Sequence, residues 1–192
     1  MIFPIIAYGD PVLRKVAADI KPGDLDLPSF IESMWETMYY SSGVGLAAPQ
    51  VNHSIRLFTV DTLQIFEGMD EKERKEYADA PGIKAAFINA YITEMTGEPW
   101  AYNEGCLSIP KIREEVTRAA TITMEYQDEN FQSHKKTFTG LTARVILHEY
   151  DHIEGKLFID HLAPLKRKLL KGKLNDISKG KVHVDYKMKF PG

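Results

Sequence analysis

Apolar and polar positions alternate along this chain with two distinct periods. Between Leu27 and Tyr40, apolar residues fall at Phe30, Ile31, Met34, Trp35 and Met38, a helical spacing that Ser29 is placed to cap. The Met and Trp side chains of that helix read as core filling. A second helical pattern runs from Leu141 to Glu154 (LTARVILHEYDHIE), closed by Gly155 in the position of a helix C-cap. Shorter β-rich runs occupy Ile55 to Val60 and Ala86 to Ile92. Alternation is clearer in Thr121 to Tyr126, and a turn at Asp128, Glu129 and Asn130 leads to a hairpin partner at His134 to Phe138. A further helix starts near Pro164, and the ending VHVDYKMKF alternates like a strand. Well-separated helices with antiparallel strand clusters between them predict an α+β fold rather than a doubly wound parallel sheet.

Composition narrows the class. At 192 residues, with no internal repeat or Gly/Ser linker, the chain is expected to be a single domain spanning 1–192. One cysteine cannot close an intramolecular disulfide, so a stapled secreted scaffold is excluded and a reducing compartment is expected. The opening MIFPIIAYGDPVLRK has no basic stretch before its short apolar run, and Pro4 and Asp10 interrupt it. Neither a signal peptide nor a membrane span fits, so the expectation is a cytoplasmic protein.

The net charge of −3 hides an asymmetry. Between Lys166 and Lys189 stand nine basic residues and two acidic ones, leaving a net of −10 on the rest. That segment reads as a solvated helix with a lysine-guarded edge strand, or as a surface that meets an anion such as nucleic acid. The mixed run Asp70 to Glu76 reads as an exposed insertion with a helical turn.

The Leu141–Glu154 helix carries the candidate chemistry. At about 100° per residue, His148 and His152 share one face with Leu141 and Val145, and Glu149 lies beside them. Leu147 and Tyr150 make the opposite side apolar too, so the helix is expected to be central and buried. Two imidazoles one turn apart can hold one metal ion, with the intervening Glu as a base; HEYDH is the H-E-x-x-H arrangement. Neither the downstream Glu nor the spaced His of the common HExxH proteases follows it. The remaining soft donor is Cys106, in NEGCLSIP, which reads either as a buried hydrophobe or as a metal-bound thiolate. Asp151 lies off the metal face and, if buried, needs a cation. His53, His134, His161 and His183 read as structural or exposed.

Three separated motifs, GVGLAAPQ (Gly43 to Gln50), EGCLS (Glu104 to Ser108) and HEYDH, closely resemble those of the peptide deformylase family, in its order. GDPVLR near the start also looks like the family's opening strand. The resemblance implies antiparallel sheets around a central buried helix bearing HExxH, to which the chain's own pattern adds a C-terminal helix and a terminal strand that differs from a purely helical tail. It implies Cys106, His148 and His152 as metal ligands and Glu149 as the catalytic acid/base. Gln50 and the N–H of Leu107 would stabilise the oxyanion. Gly43 and Gly45 would let substrate pair as an added strand, while Val44, Leu141, Val145 and Tyr102 would shape a pocket for methionine. Arg144 stands where the family commonly has an apolar residue, and Tyr102 is also unusual. Arg118 is implied as the partner of Asp151, with Arg144 as the alternative.

The activity implied is hydrolysis of the formyl group from N-terminal formylmethionine of nascent peptides, releasing formate. The resemblance implies ferrous iron natively, although the donor set also suits zinc, nickel or cobalt. A monomer is expected; because a C-terminal helix docks on the ribosome in some members of the family, ribosome contact through the basic C-terminal segment stands beside the solvated-face reading. Two other readings are an HExxH endopeptidase, against which Cys106 and the Gln50 loop argue, and a structural metal site, against which the identification of only three protein ligands argues.

Overall fold

In a computed structural model, residues 1–191 are described. The chain runs through β1 (Ile5–Ile6), α1 (Leu27–Tyr40), β2 (Gly45–Ala47), β3 (Leu57–Asp61), α2 (Leu63–Glu67), α3 (Glu71–Arg74) and β4 (Lys84–Thr96). It continues through β5 (Trp100–Cys106), β6 (Ile109–Arg118), β7 (Thr121–Gln127), β8 (Ser133–Thr139), α4 (Gly140–Ile153), α5 (Pro164–Ser178) and β9 (Met188–Lys189). Five strands form an antiparallel sheet in the order β2-β3-β4-β7-β8, and β5 pairs antiparallel with β6 as a separate ribbon. The fold is α+β, as the pattern predicts. The parallel pairings among the described residues are the short pair β1–β9 and an isolated bridge between Ala18 and Ile55.

α4 packs against β2, β3, β7 and β8 of the large sheet. Ala143, Ile146, Leu147 and Ile153 are buried there with Phe58, Phe87, Ile122 and Met124. Each such large side chain removed from water stabilises the fold by roughly 1.5–3 kcal/mol before entropy is counted. With that face committed to the core, His148 is left toward Glu104 of the β5–β6 ribbon and Glu149 toward Gly45 of β2.

The start of α4 is set from a distance. Thr139 makes no side-chain cap, and the N–H of Thr142 donates instead to Asp79 Oδ2 at 2.7 Å. Gly140, at φ +58°, leaves room for that carboxylate, because a Cβ there would run into it. The mixed-charge run is exposed and contains the short helix α3, as expected, and the segment after it supplies this cap.

Three local readings are corrected. Asp26, rather than Ser29, caps α1: Ser29 lies inside the first turn and donates its hydroxyl to Asp26 Oδ2 at 2.7 Å. Pro28 explains the shift, since proline fits only the first turn and fixes the start ahead of Ser29. GDPVLR is not a strand; Gly9 turns the chain at φ +102° and Pro11–Arg14 form a 3-10 turn capped by Asp10. The terminal strand shrinks to Met188–Lys189, because its partner β1 is only two residues long.

Candidate metal centre

The β5–β6 ribbon and α4 bring the three expected donors together. Cys106 closes β5 at a register shift between Gly105 and Cys106, an irregularity of the kind that re-aims a strand side chain. Its Sγ lies 3.3 Å from His152 Nε2. One donor atom each from Cys106, His148 and His152 lies within 4.8 Å of the others. Ligands at about 2.0 Å (N) and about 2.3 Å (S) from a common tetrahedral ion stand about 3.6 Å apart, so the spacing fits a divalent ion.

Charge favours the same conclusion. Burial alone would push the Cys106 thiol up, but the His152 charge beside it and hydrogen bonds from His148 and His152 outweigh burial and bring its pKa down to about 5. A thiolate is the form that binds metal. His148 Nδ1 donates to Glu104 Oε2 at 3.0 Å, which leaves Nε2 as the free nitrogen. Glu104 is held ionised: burial opposes this, yet hydrogen bonds from His148 and Arg118 and the Arg118 charge place its carboxyl well below the usual range.

Behind the donors lies a buried ionic network. Arg118 grips Glu104 with Nε at 2.7 Å and Nη2 at 3.0 Å, and gives Nη1 to Asp151 Oδ2 at 2.7 Å. Asp151 therefore has Arg118 as its cation, together with His161 at 2.7 Å. The alternative partner, Arg144, is engaged elsewhere. Its guanidinium donates to Glu104 Oε1, Val116 O and Trp100 O, and lies 4.5 Å from the Trp100 ring centroid. An arginine is thus accommodated at the pocket wall with its head turned into protein.

The donors open onto a cavity of about 620 Å³. Gly43, Val44, Gly45, Gln50 and Leu107 line it on one side, and Tyr102, Leu141, Val145, His148 and Glu149 on another. His152 is buried just behind, at 1% exposure. The Gln50 amide is oriented by its own loop: Oε1 accepts from Ala47 N at 2.9 Å, and Nε2 faces Cys106 Sγ at 3.5 Å and Ser108 Oγ at 3.3 Å. Glu149 is buried with Oε2 unpartnered, and burial pushes its pKa up to about 7. A Cβ at Gly45 would collide with the Glu149 carboxyl, which is why this position admits no side chain.

Glu104 is the residue whose part the sequence reading left undescribed. A signal was present. Glu104 stands two residues before Cys106 in the same EGCLS motif, and its carboxylate lies 3.0 Å from His148 Nδ1.

The polypeptide deformylase family model matches residues 2–168. The chain is 55% identical to a peptide deformylase of Christiangramia forsetii over 193 residues, which cover all of this chain and 97% of that relative. Among solved structures, a peptide deformylase from Legionella pneumophila superposes with a TM-score of 0.78 at 34% identity, covering 94% of this chain and 98% of that one. Peptide deformylase from Thermotoga maritima gives 0.72 at 38% identity, covering 85% and 99%. With its donor triad and cavity in place, the chain belongs to the polypeptide deformylase family, metal-dependent hydrolases that remove the N-terminal formyl group from nascent polypeptides.

Proposed function

We propose that deformylation takes place in the cavity above Cys106, His148 and His152, with the whole of residues 1–192 acting as one catalytic domain whose central helix α4 carries the HExxH pair. The observation that carries this reading is the convergence of one sulfur and two imidazole donors at a cavity that also holds a buried, half-unpartnered Glu149. A divalent ion bound there supplies Lewis acidity that polarises the formyl carbonyl and acidifies water. We assign ferrous iron as the native ion; zinc, nickel and cobalt suit the same donors in purified protein.

This chain's residues do the rest. Glu149 takes a proton at Oε2 during attack on the formyl carbon and returns it to the departing amine. Gln50 Nε2 and the Leu107 N–H hold the developing oxyanion, each donor worth a few kcal/mol in such sites. β2 is the edge strand of the large sheet, so its open side from Gly45 onward can take a substrate lying alongside, while Gly43, tied to Met38 O and Gln64 Nε2, and Val44, whose carbonyl accepts from Asp61 N, line the cavity just before it. Val44, Tyr102, Leu141 and Val145 receive the methionine side chain, with the Arg144 stem completing the wall.

Formate release from a formyl-Met peptide tests the reading. The wild type is expected to be active, and Cys106→Ser, with a harder and poorer ligand, to lose bound metal and activity together. Full metal content and full rate in that variant would rule out Cys106 as a ligand.

The protein is proposed to act as a monomer in the cytoplasm, on formylmethionyl nascent chains at the ribosome. α5 buries Leu170, Leu174 and Ile177 and exposes its basic residues together with Leu165 and Leu169. Lys166 is paired with Glu114 at 3.1 Å, so Arg167, Lys168 and Lys171 are the better test of ribosome contact. Reversing those three charges should weaken ribosome co-sedimentation at low salt; undiminished binding would return α5 to a solvated face.

A further inference from the structure

The chain does not end with α5. Gly180, at φ +71°, turns it back, and the following residues alternate between half-buried and exposed: Val182, Val184, Tyr186, Met188 and Phe190 face inward, and the residues between them face out. Only Met188 and Lys189 are laddered, to β1, where Ile5 N donates to Lys187 O at 2.8 Å and Ala7 N to Lys189 O at 2.9 Å. So anchored, the strap brings Val184, Asp185 and Tyr186 to the rim of the catalytic cavity. This segment lies beyond residue 168, where the match to the family model stops.

Tyr186 reaches furthest. Its hydroxyl donates to Leu107 O at 2.8 Å. Leu107 and Ser108 form the two-residue turn between β5 and β6, immediately after the metal ligand Cys106. Three other contacts hold the same turn: Tyr8 N donates to Ser108 O at 2.9 Å, Gln50 Nε2 to Ser108 Oγ at 3.3 Å, and the Leu107 side chain packs close to Gly43. Without Tyr186, the Leu107 carbonyl has no other hydrogen bond among the described residues. Burial, reinforced by the Cys106 charge, pushes the phenol pKa up, so the hydroxyl stays a donor.

We propose that Tyr186 is a positioning residue for deformylation: by fixing the Leu107 carbonyl it keeps the Leu107 N–H aimed at the oxyanion, which makes the C-terminal strap part of the active site. The inference rests on the assignment of that N–H above. It acts through geometry and does not require Tyr186 to touch substrate.

Tyr186→Phe in the full-length, metal-loaded enzyme separates this from mere packing, because the ring is retained and only the hydroxyl is lost. With formyl-Met-Ala-Ser as substrate, kcat should fall roughly fivefold, the worth of one net hydrogen bond, while KM stays within about twofold. Amide hydrogen exchange over residues 105–109 should be faster in the variant, and its melting temperature close to wild type. Both changes together support the proposal. An unchanged kcat, a loss carried by KM alone, or unchanged exchange overturns it. Should the wild type itself release no formate, the assignment of the site fails, an outcome distinct from an active wild type matched by Tyr186→Phe.

Discussion

Glu149→Gln should lower formate release by roughly 10³-fold, within the range that general acid–base groups supply, without loss of bound metal or of stability. The two halves of this expectation come from different facts. The carboxyl is placed one residue after His148, inside the cavity, with Oε2 free of any hydrogen bond among the described residues, so it is available to hold a proton for the reaction. That same freedom means that its burial is uncompensated, and an isosteric neutral amide removes a charge that the fold gains nothing from burying. Metal analysis, thermal melting and initial rates on one preparation check it. If the variant lost metal in proportion to rate, Glu149 would be a ligand rather than a base; if it kept more than a tenth of the rate, the proton would be handled elsewhere.

The parts of this molecule legible in its sequence are those with local periodicity. HEYDH showed as two imidazoles one helical turn apart, and α4 and α5 lie close to where their apolar spacing put them. The hairpin β7–β8 followed from alternation and the turn residues between its strands. Local rules gave way where a partner decides. VHVDYKMKF alternates in burial as its pattern says, yet it cannot become a full strand against a two-residue neighbour. The capping of α4 by Asp79 joins residues 63 positions apart, which no window on the sequence can show. Glu104 and Tyr186 act on the site from the strand and the strap that flank it; nearness to Cys106 in the sequence pointed to the first, whereas the part of Tyr186 emerges only from three-dimensional proximity. Arg144 is the sharpest case. Its presence on an otherwise apolar pocket wall looked like an interruption, and its meaning rests on acceptors supplied by β5 and β6.

Arg118→Ala should be the most destabilising single substitution in the network that supports the donors, costing about 3 kcal/mol. Removing one member of a buried ionic cluster ordinarily costs about 3–5 kcal/mol, because the partners remain buried and charged. Here the lower end applies: Arg144 and His148 still reach Glu104, and His161 still reaches Asp151. For a chain of this size that corresponds to a fall in melting temperature of roughly 10 °C. The pH dependence fixes the sign of the electrostatic part. Asp151 and Glu104 are both depressed in the folded protein, with hydrogen bonds and the Arg118 charge overcoming the effect of burial. Their contribution is therefore full above the unfolded carboxylate pKa of about 4 and is lost as pH falls through the folded values. The stability gap between wild type and Arg118→Ala should accordingly be widest near neutrality and narrow in acid. Because Glu104 orients His148, the variant should also hold metal roughly 10- to 100-fold less tightly, the usual cost of losing such support. Arg118→Lys keeps the charge but cannot present a fork to Glu104 and a third donor to Asp151 at once, so it should fall between the two. Wild-type melting and metal retention in Arg118→Ala would show that the network behind the donors is dispensable, and that α4 and β5 are held in register by apolar packing alone.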